Sequence, residues 1–551
     1  MKFIVVLFLF FILAVNSYCQ PTVGLTQQGV GDQPGYVLFA PLAYNKTYLI
    51  DKCGYMVHSW TSNYLPGNSV YFLPDGNLLR PGNTQNFSFP GGGRGGIIER
   101  IDWNNNVIWS FLISNSQQLQ HSDICPLPNG NILVIAWEAK GNAAAISAGR
   151  NPAMLGTDIW GEKIMEIQPT GNNTANIVWE WHTWDHLVQE YDSSKTNYGS
   201  VIQHPELINF NFENSGVTNP DWIHLNAVSY NPLLDEILVS SRYNSEVWII
   251  DHSTTTADAA THSGGNHGKG GDLLYRWGNP AAYNQGNSPD QQFFAQHAAH
   301  WIPQGLKDEG AIMVFNNGTY RPGGEYSSVD IIKPVTDSSG NYLMGTHQTF
   351  LPDSIFWTYK APVPGDFYAM TTSGAQQLAN GNTLICYGTK GTFFEIDSMK
   401  NIIWQYKCPV SGLGPVSQGS TALINNVFKS PLYEASYPGF ANYTLTSGQP
   451  IELNPIPYIC PAVTEINDNA ISTQMLNIYP NPSTGNFFIE NLTPGQNVEL
   501  SISDVMGRMV YFEKIQAISG IHQVKCNLNK GLYLLYTQNG ASCTIKKLVI
   551  E

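Results

Sequence analysis

Short apolar segments that end in tryptophan recur along the first three quarters of the chain. In the full form of the pattern an apolar run ends in an acidic residue or a turn, a few polar residues follow, and two apolar residues then precede a tryptophan, and the copies vary around this form. The pattern occurs six times, in the segments Ile50–Trp60, Ile101–Trp109, Ile167–Trp181, Ile249–Trp277, Ser354–Tyr359 and Ile396–Tyr406. Apolar runs on both sides of a polar turn predict a β-hairpin in each copy.

A second kind of turn, of the LPDGN type, lies between these copies and predicts another hairpin in four of the five intervals. These turns lie near Phe72, Pro126, Asn231 and Gln377. Six four-stranded units, none of which can bury its own faces, predict an all-β fold, a six-bladed β-propeller around a central channel. We expect insertions at about 139–160, 182–220 and 253–272 to shape the mouth of that channel.

The pattern changes after residue 410, where we place the end of a propeller that begins at residue 20. Residues 411–470 are rich in Ser, Pro, Gly and Asn and are interpreted as a packing extension and linker. Short alternating strands at 471–551 predict a small Ig-like β-sandwich. Its motifs IYPNPSTG, DVMGR and KGLYLLY, with the final KKLVIE, resemble the C-terminal sorting domain of the type IX secretion system of Bacteroidetes. That resemblance implies export by the type IX secretion machinery.

The first 19 residues have the layout of a cleaved signal peptide. Lys2 precedes an apolar run that ends at Val15, and small or polar residues follow. The run is too short to cross a bilayer, which takes about 20 apolar residues. Acylation of Cys19 is an alternative, although Ser-Tyr before the cysteine fits a lipoprotein signal poorly. Both interpretations predict a secreted or cell-surface protein.

The charge of the chain limits its partners. Lys and Arg number 27 against 42 Asp and Glu, which gives a formal net charge of −15. This balance argues against nucleic acid or anionic membranes as partners. The cysteines are widely spaced and include no CxxC pair, so a cysteine-bound zinc site is not predicted. An anionic small molecule would need a local positive pocket.

Four segments beside predicted strands carry reactive side chains. They are HSDICPLPNGN with His121, DWIHLNAVSYN with His224 and Asn226, SSRYNS with Arg242, and FFAQHAAHW with His297. The propeller strand nearest the axis can direct polar residues into the channel, where residues distant in sequence meet. Three histidines and an arginine could then surround a tetrahedral oxyanion, with the guanidinium bonding two of its oxygens.

The pieces D-W-x-H-x-N, S-S-R-x-x-S, Q-H and F-N-N-G, in this order, resemble the arylsulfate sulfotransferase family. The similarity runs from about Tyr36 to Tyr406. It implies a six-bladed propeller that passes a sulfuryl group from an aryl sulfate to a phenolic acceptor. The implied mechanism is ping-pong through a sulfohistidine and uses no nucleotide sulfate donor. It requires no cofactor or metal, and none is predicted.

Carried over residue by residue, the resemblance implies a role for each candidate. The nucleophile falls on His297, the sulfate-binding groups fall on His121, His224 and Arg242, and Asn226 is an additional contact. His300, three residues after His297, is the alternative nucleophile, but the glutamine of the Q-H piece precedes His297.

The remaining histidines have other interpretations. His182 and His186 have the i, i+4 spacing of metal ligands on a helix, but no third ligand is evident. His252, His262 and His267 lie in or beside a Gly-rich insertion and are expected to face solvent.

Two other functions remain open at this stage. A non-catalytic surface propeller could bind glycans or other ligands at an aromatic mouth. A sulfate-ester hydrolase would use water in place of the phenol. The intact set of histidines and arginine favours an enzyme over a binding protein, and dependence on added phenol separates transfer from hydrolysis.

Overall fold

The computed structural model describes residues 21–212, 219–456, 477–490, 497–504, 509–516, 520–539 and 542–551. The chain divides into two compact units, Met1–Ile459 and Cys460–Glu551. In these described ranges both units consist mainly of antiparallel sheets joined by turns, with short helices in the first unit, which confirms the all-β prediction. The predicted signal peptide, and residues 505–508 of the DVMGR motif, lie outside the described residues.

Six sheets of four or five strands make up most of the described part of the first unit. Sheet 1 contains Leu432–Tyr433, Tyr36–Phe39, Lys46–Asp51 and Met56–Thr61. Sheet 2 contains Leu65–Pro66, Tyr71–Phe72, Leu78–Asn83, Gly96–Ile101 and Val107–Leu112. Sheet 3 contains Gln118–Pro126, Ile132–Lys140, Ile159–Thr170 and Thr174–His182.

The other three sheets follow in chain order. Sheet 4 contains Leu225–Asn231, Glu236–Ser241, Glu246–Asp251 and Leu273–Trp277. Sheet 5 contains His297–Trp301, Ile312–Asn316, Ser328–Ile332 and Trp357–Tyr359. Sheet 6 contains Gly374–Gln377, Thr383–Tyr387, Thr392–Ile396, Ile402–Lys407 and Gly24–Gln28.

The helices and the smaller sheets lie in the connections. The α-helices are Asn142–Ser147 and Thr256–Ala259. The 3-10 helices are Pro152–Met154, Thr183–Asp185, Val201–Gln203, Pro280–Tyr283, Ser288–Asp290, Pro364–Asp366, Gly388–Lys390 and Pro438–Phe440. Leu187–Val188 pairs with Ile208–Asn209, and Val410–Ser411 pairs with Gly414–Pro415.

The turns of the LPDGN type join the first and second strands of sheets 3 and 6. Gly130 and Gly381 occupy them with φ of 86° and 85°. This left-handed backbone favours glycine, because it lacks the Cβ that makes the conformation costly for other residues.

The repeating tryptophans link neighbouring sheets. They lie in the strand that ends each repeat, and they are Trp60, Trp109, Trp179, Trp277, Trp357 and Trp404. The indole N–H of Trp60 donates to the carbonyl of Asp102 in sheet 2 at 3.0 Å. The indole N–H of Trp404 donates to the carbonyl of Lys52 in sheet 1 at 2.7 Å. The last sheet is therefore linked to the first.

Buried apolar clusters connect the six sheets in the same order and also join the last sheet to the first. A cluster lies between each pair of consecutive sheets from 1 to 6, and a further cluster joins sheet 6 to sheet 1. In that cluster Phe39 packs against Phe393, with ring centroids 5.0 Å apart. Each sheet thus buries both faces against its neighbours, which provides the main hydrophobic stabilisation of the unit.

Two segments outside the repeats complete this cycle. Leu432–Tyr433 pairs with Tyr36–Phe39 in sheet 1, and Gly24–Gln28 pairs with Ile402–Lys407 in sheet 6. Leu432 belongs to the segment 411–470 that the sequence analysis interpreted as an extension and linker. The described part of that segment therefore supplies a strand to sheet 1.

The second unit has a core of its own. One sheet contains Asn477–Tyr479, Asn486–Glu490 and Ile521–Lys525, and the other contains Met509–Gln516, Asn497–Asp504, Gly531–Asn539 and Ser542–Ile550. Both sheets contribute to one apolar cluster, which includes Phe487, Leu500 and Leu535. Across the described residues of both units, no helix has the length and apolar character needed to span a bilayer.

Candidate active site

Four of the five predicted site residues lie near the start of the first strands of sheets 3, 4 and 5, and Arg242 lies in a turn of sheet 4. His121 lies in Gln118–Pro126, His224 immediately precedes Leu225–Asn231, and His297 begins His297–Trp301. The strand Leu225–Asn231 contacts both of the other two strands. The structure therefore brings together side chains from three separate sheets, as the sequence analysis predicted for residues distant along the chain.

His297 is held in place by the backbone around it. Ala295 and Ala298 have φ of 55° and 53°, and the pairing register shifts between His297 and His300. The preceding Gln296 donates from Nε2 to the carbonyls of Ser241 and Glu246 in sheet 4, at 3.0 and 2.7 Å. The start of this strand is thus anchored to the neighbouring sheet.

Hydrogen bonds fix the tautomer of His297. Its Nδ1 lies 2.7 Å from Oδ1 of Asn317 and 3.1 Å from the carbonyl oxygen of Ala295. The amide nitrogen of Asn317 donates to the carbonyls of Ala369 and Thr372, so Oδ1 is the atom that faces the imidazole. Both neighbours of Nδ1 are acceptors, so Nδ1 carries the proton in the neutral ring. Nε2 then holds the lone pair.

The surroundings of His297 favour this neutral form. Burial, together with the nearby positive charge of Arg242, lowers the pKa of His297 to about 3. The side chain of Asn317 acts in the opposite sense, but it does not offset the cost of desolvating an imidazolium. An unprotonated Nε2 is therefore available at neutral pH.

Arg242 supplies an uncompensated positive charge next to His297. It lies in the turn between Glu236–Ser241 and Glu246–Asp251, and its backbone N–H donates to the carbonyl of His224 at 3.1 Å. The guanidinium lies 4.9 Å from the ring centroid of Tyr243. Among the described residues no carboxylate forms an ion pair with it, so its charge is available to an anionic ligand.

His224 has a carboxylate on one of its ring nitrogens. Nδ1 of His224 lies 2.5 Å from Oδ2 of Asp221, and the backbone of His224 has a φ of 52°. The other carboxylate oxygen of Asp221 accepts from Nε1 of Trp137 at 3.1 Å. Asp221 therefore makes Nδ1 the donor and leaves Nε2 of His224 free for other partners.

His121 lies behind these groups. It is fully buried, stacks on Trp137 with ring centroids 3.9 Å apart, and lies 5.7 Å from the ring of His224. Its Nε2 contacts Glu162 Oε2 at 2.8 Å, and its Nδ1 contacts Ser122 Oγ at 3.2 Å. Both ring nitrogens are therefore engaged within the protein.

Burial acts on both members of the pair that His121 forms with Glu162. It lowers the pKa of His121 to about 3 and raises the pKa of Glu162 well above its usual range. Nearby Asp221 also raises the pKa of Glu162. The pair therefore shares one proton and is neutral as a unit. The second oxygen of Glu162 accepts from the backbone N–H of Leu225, directly after His224.

Asn226 is fully buried and supports the strand that carries His297. Its Nδ2 donates to the carbonyl of Gln296 at 2.7 Å, while its Oδ1 has no hydrogen-bond partner within the part of the chain that the structure describes. The contact joins sheet 4 to the residue before His297.

Three contributors to the site received no role in the sequence analysis. Asp221 and Asn317 lie within the quoted pieces D-W-x-H-x-N and F-N-N-G, so the motifs already contained the signal. Glu162 lies in the long strand Ile159–Thr170, and nothing in that strand's sequence distinguishes it from a surface glutamate. Only the packing of sheet 3 against sheet 4 reveals its burial.

The histidines outside the predicted set have different environments. His300 bonds through Nδ1 to the carbonyl of Ala298 and lines a cavity of about 600 Å³ that none of the five predicted site residues lines.

His182 contacts Glu138, whereas His186 contacts Asp272, so the two do not act as a pair on one helix. Of the three histidines expected to face solvent, His262 is exposed and the other two are not. His252 contacts Asp235 and Glu166, and His267 contacts Glu236.

Comparisons with known families match both units. The family described as Arylsulfotransferase (ASST) matches residues 43–410, which is more than half of the chain. The family described as Secretion system C-terminal sorting domain matches residues 477–551. The sorting domain indicates export, and the protein is secreted or located at the cell surface. No curated protein matches the chain.

Solved structures show only distant likeness. A protein of unknown function from Bacteroides caccae is 14% identical and has a TM-score of 0.38, over 68% of this chain and 94% of that one. Virginiamycin B lyase from Staphylococcus aureus is 12% identical with a TM-score of 0.32, over 71% and 86%. A streptogramin B lyase is 11% identical with a TM-score of 0.34, over 76% and 95%. Scores of this size do not establish a shared fold.

Proposed function

The chain belongs to the arylsulfotransferase (ASST) family, and we propose that it passes a sulfuryl group from an aryl sulfate to a phenol through a sulfohistidine at His297. The observation that carries this proposal is the state of His297 Nε2. Hydrogen bonds to Nδ1 leave the lone pair on Nε2, and burial keeps the ring neutral. The guanidinium of Arg242 lies nearby, and no carboxylate in the described ranges pairs with it. A neutral nucleophile beside a free positive charge suits attack on an anionic ester.

In the first half-reaction the Nε2 lone pair attacks the sulfur of the aryl sulfate. The N–S bond forms, the S–O bond to the aryl group breaks, and the phenolate leaves with that electron pair and takes up a proton. In the second half-reaction the oxygen of an acceptor phenol, which loses its proton, attacks the same sulfur. The N–S bond breaks, and its electron pair returns to Nε2.

Arg242 and His224 act on the charges that change during these steps. The planar guanidinium of Arg242 can bond two sulfuryl oxygens and oppose their negative charge. Nε2 of His224 can give a proton to the departing phenolate and accept one from the incoming phenol. Asp221, on Nδ1 of the same ring, balances the positive charge while the proton is held.

His121 and Asn226 support this arrangement from behind. Both ring nitrogens of His121 contact protein atoms, and its partner Glu162 also holds the backbone of Leu225, next to His224. Asn226 holds the carbonyl of Gln296, next to His297. Their roles in this proposal are to position His224 and His297, whereas the family resemblance alone implied direct sulfate contacts for them.

The architecture completes the proposal. Six sheets in a closed order, linked by tryptophans and apolar clusters, support a six-bladed β-propeller with the reaction at the start of its first strands. Two sheets around one apolar cluster support a β-sandwich for the sorting domain. A signal peptide over residues 1–19 would begin an export that the type IX machinery completes.

Release of 4-nitrophenol from 4-nitrophenyl sulfate, with and without added phenol, tests this function. We expect release to depend on phenol, to yield phenyl sulfate, and to disappear in His297→Ala. His300→Ala is the matched control, because His300 lies in the same strand and is the alternative nucleophile. Equal release without phenol would favour a hydrolase, and no release with any phenol would favour a binding protein.

A further inference from the structure

Two connections, one after sheet 3 and one within sheet 4, bring three ligand-type side chains together. His186 follows the short helix Thr183–Asp185, after the last strand of sheet 3. His262 and Asp272 lie in the connection that carries the helix Thr256–Ala259, before the last strand of sheet 4. Sulfuryl transfer, as proposed above, uses none of these residues.

The three side chains converge on one point. Nδ1 of His186 and Nδ1 of His262 each lie 2.8 Å from the same carboxylate oxygen, Oδ1 of Asp272. One ligand atom from each residue lies within 4.8 Å of the other two. His186 and Asp272 are buried, while His262 is largely exposed. The cluster therefore has a closed inner side and a side open to water.

The hydrogen bonds of His186 identify which of its nitrogens is free to bind. Nε2 lies 2.8 Å from the carbonyl oxygen of Ala259, an acceptor, so Nε2 carries the proton in the neutral ring. Nδ1 then holds a lone pair and faces a carboxylate oxygen, and two lone pairs at 2.8 Å repel each other. A cation between Nδ1 and Asp272 removes this conflict. A metal-binding histidine commonly donates its other N–H to a backbone carbonyl in this way.

The backbone at Gly271 packs closely against the ring of His186. A Cβ at Gly271 would lie 2.6 Å from Nε2 of His186 and 2.1 Å from the carbonyl oxygen of Ala259, so only glycine allows the loop to close over the ring. Trp181 stacks parallel to His186, with a ring-centroid distance of 5.5 Å, and its indole N–H donates to the Gly271 carbonyl at 2.7 Å. His186 is therefore fixed before any ion binds.

We propose that Nδ1 of His186, Nδ1 of His262 and a carboxylate oxygen of Asp272 bind one divalent zinc ion. Two imidazole nitrogens and one carboxylate are a donor set that suits zinc, and a tetrahedral site would take its fourth ligand from water on the open side. The ion would join the two connections and hold the loop of sheet 4 against sheet 3.

The mature chain, first stripped with EDTA and dialysed, tests this site by titration with zinc chloride in a calorimeter. We expect one ion per chain at micromolar or tighter affinity and a higher unfolding temperature when it is bound, because the ligand stabilises the folded state. Cobalt(II) in place of zinc should give the visible absorption of a tetrahedral site.

Variants locate the ion. His262→Ala should weaken zinc binding at least tenfold and should fold, because His262 is exposed. Asp272→Asn should have the same effect on binding. His204→Ala is the matched control, since His204 is also an exposed histidine 2.9 Å from a carboxylate oxygen, on Glu206. Equal zinc binding by His262→Ala and His204→Ala would overturn the proposal.

Absence of stoichiometric binding in the unmodified chain would also overturn it. His186 would then be a buried imidazolium paired with Asp272, and EDTA would leave the unfolding temperature unchanged. Circular dichroism of each variant separates loss of the ion from loss of the fold.

Discussion

Replacement of Asn317 by alanine should slow the chemical step without weakening substrate binding. Oδ1 of Asn317 accepts a hydrogen bond from Nδ1 of His297 at 2.7 Å. When Nε2 attacks sulfur, the imidazole gains positive charge, and this hydrogen bond becomes charge-assisted. Such a bond contributes about 1.5–3 kcal/mol, so its loss should lower the rate of sulfohistidine formation by about 10- to 150-fold.

Stopped-flow measurement of the 4-nitrophenol burst in a single turnover reports this step directly. KM for the donor should stay within about threefold, because Asn317 contacts the nucleophile and not the ester. Asn316→Ala is the matched control: Asn316 is an adjacent buried asparagine that bonds Phe294, Gln292 and Asp330. An unchanged burst rate in Asn317→Ala, or an equal loss in both variants, would refute the reasoning.

Asn317→Asp provides a readout that a purely structural role would not change. A carboxylate in this position would stabilise the positive charge of the sulfurylated ring and slow its transfer to phenol. The variant should therefore accumulate the sulfo-enzyme, which the alanine variant should not.

Three further predictions follow from the described contacts. Arg242→Lys keeps the charge but loses the planar fork, so kcat/KM for 4-nitrophenyl sulfate should fall by about 10- to 100-fold, and an unchanged value would contradict its assigned role. Because the pKa of His297 is about 3 when folded and about 6.5 when unfolded, the unfolded chain binds the extra proton between these values, and stability falls as the pH falls. His297→Gln should therefore reduce the pH slope of the unfolding free energy by about 1.4 kcal/mol per unit between pH 6 and 4, measured by urea unfolding, and an unchanged slope would argue against a buried neutral His297. A chain ending at residue 456 should retain transferase activity. A chain ending at residue 410 lacks the strand Leu432–Tyr433 and should be less stable, and equal melting temperatures of the two truncated chains would contradict this.

The repeat was predictable because a tryptophan recurs at an equivalent position in every sheet. Trp60, Trp179 and Trp404 differ in local sequence, yet each lies in the strand that ends its repeat. The strand Leu432–Tyr433 was not predictable. It has two residues and lies in a Pro-rich stretch, and only its partner Tyr36–Phe39, almost 400 residues earlier, makes it a strand.

In the site, too, residues in short motifs could be predicted, whereas contacts between residues distant in sequence could not. The histidines and Arg242 were found from short motifs that also contain Asp221 and Asn317, whereas Glu162 lies outside every motif. Glu162 becomes part of the site through a contact with Leu225, 63 residues away in the next sheet. The ligand cluster joins His186 to Asp272 over 86 residues, a pairing that no spacing rule predicts.

The most direct test of sulfuryl transfer is the trapping of the covalent intermediate. The protein should be mixed with excess 4-nitrophenyl sulfate in the absence of phenol, quenched at alkaline pH and digested for mass spectrometry. The account predicts one added SO₃ group on the peptide that contains His297, and its loss when phenol is added before the quench. Phenol-dependent turnover with no modified peptide, or with SO₃ on another residue, would contradict the account.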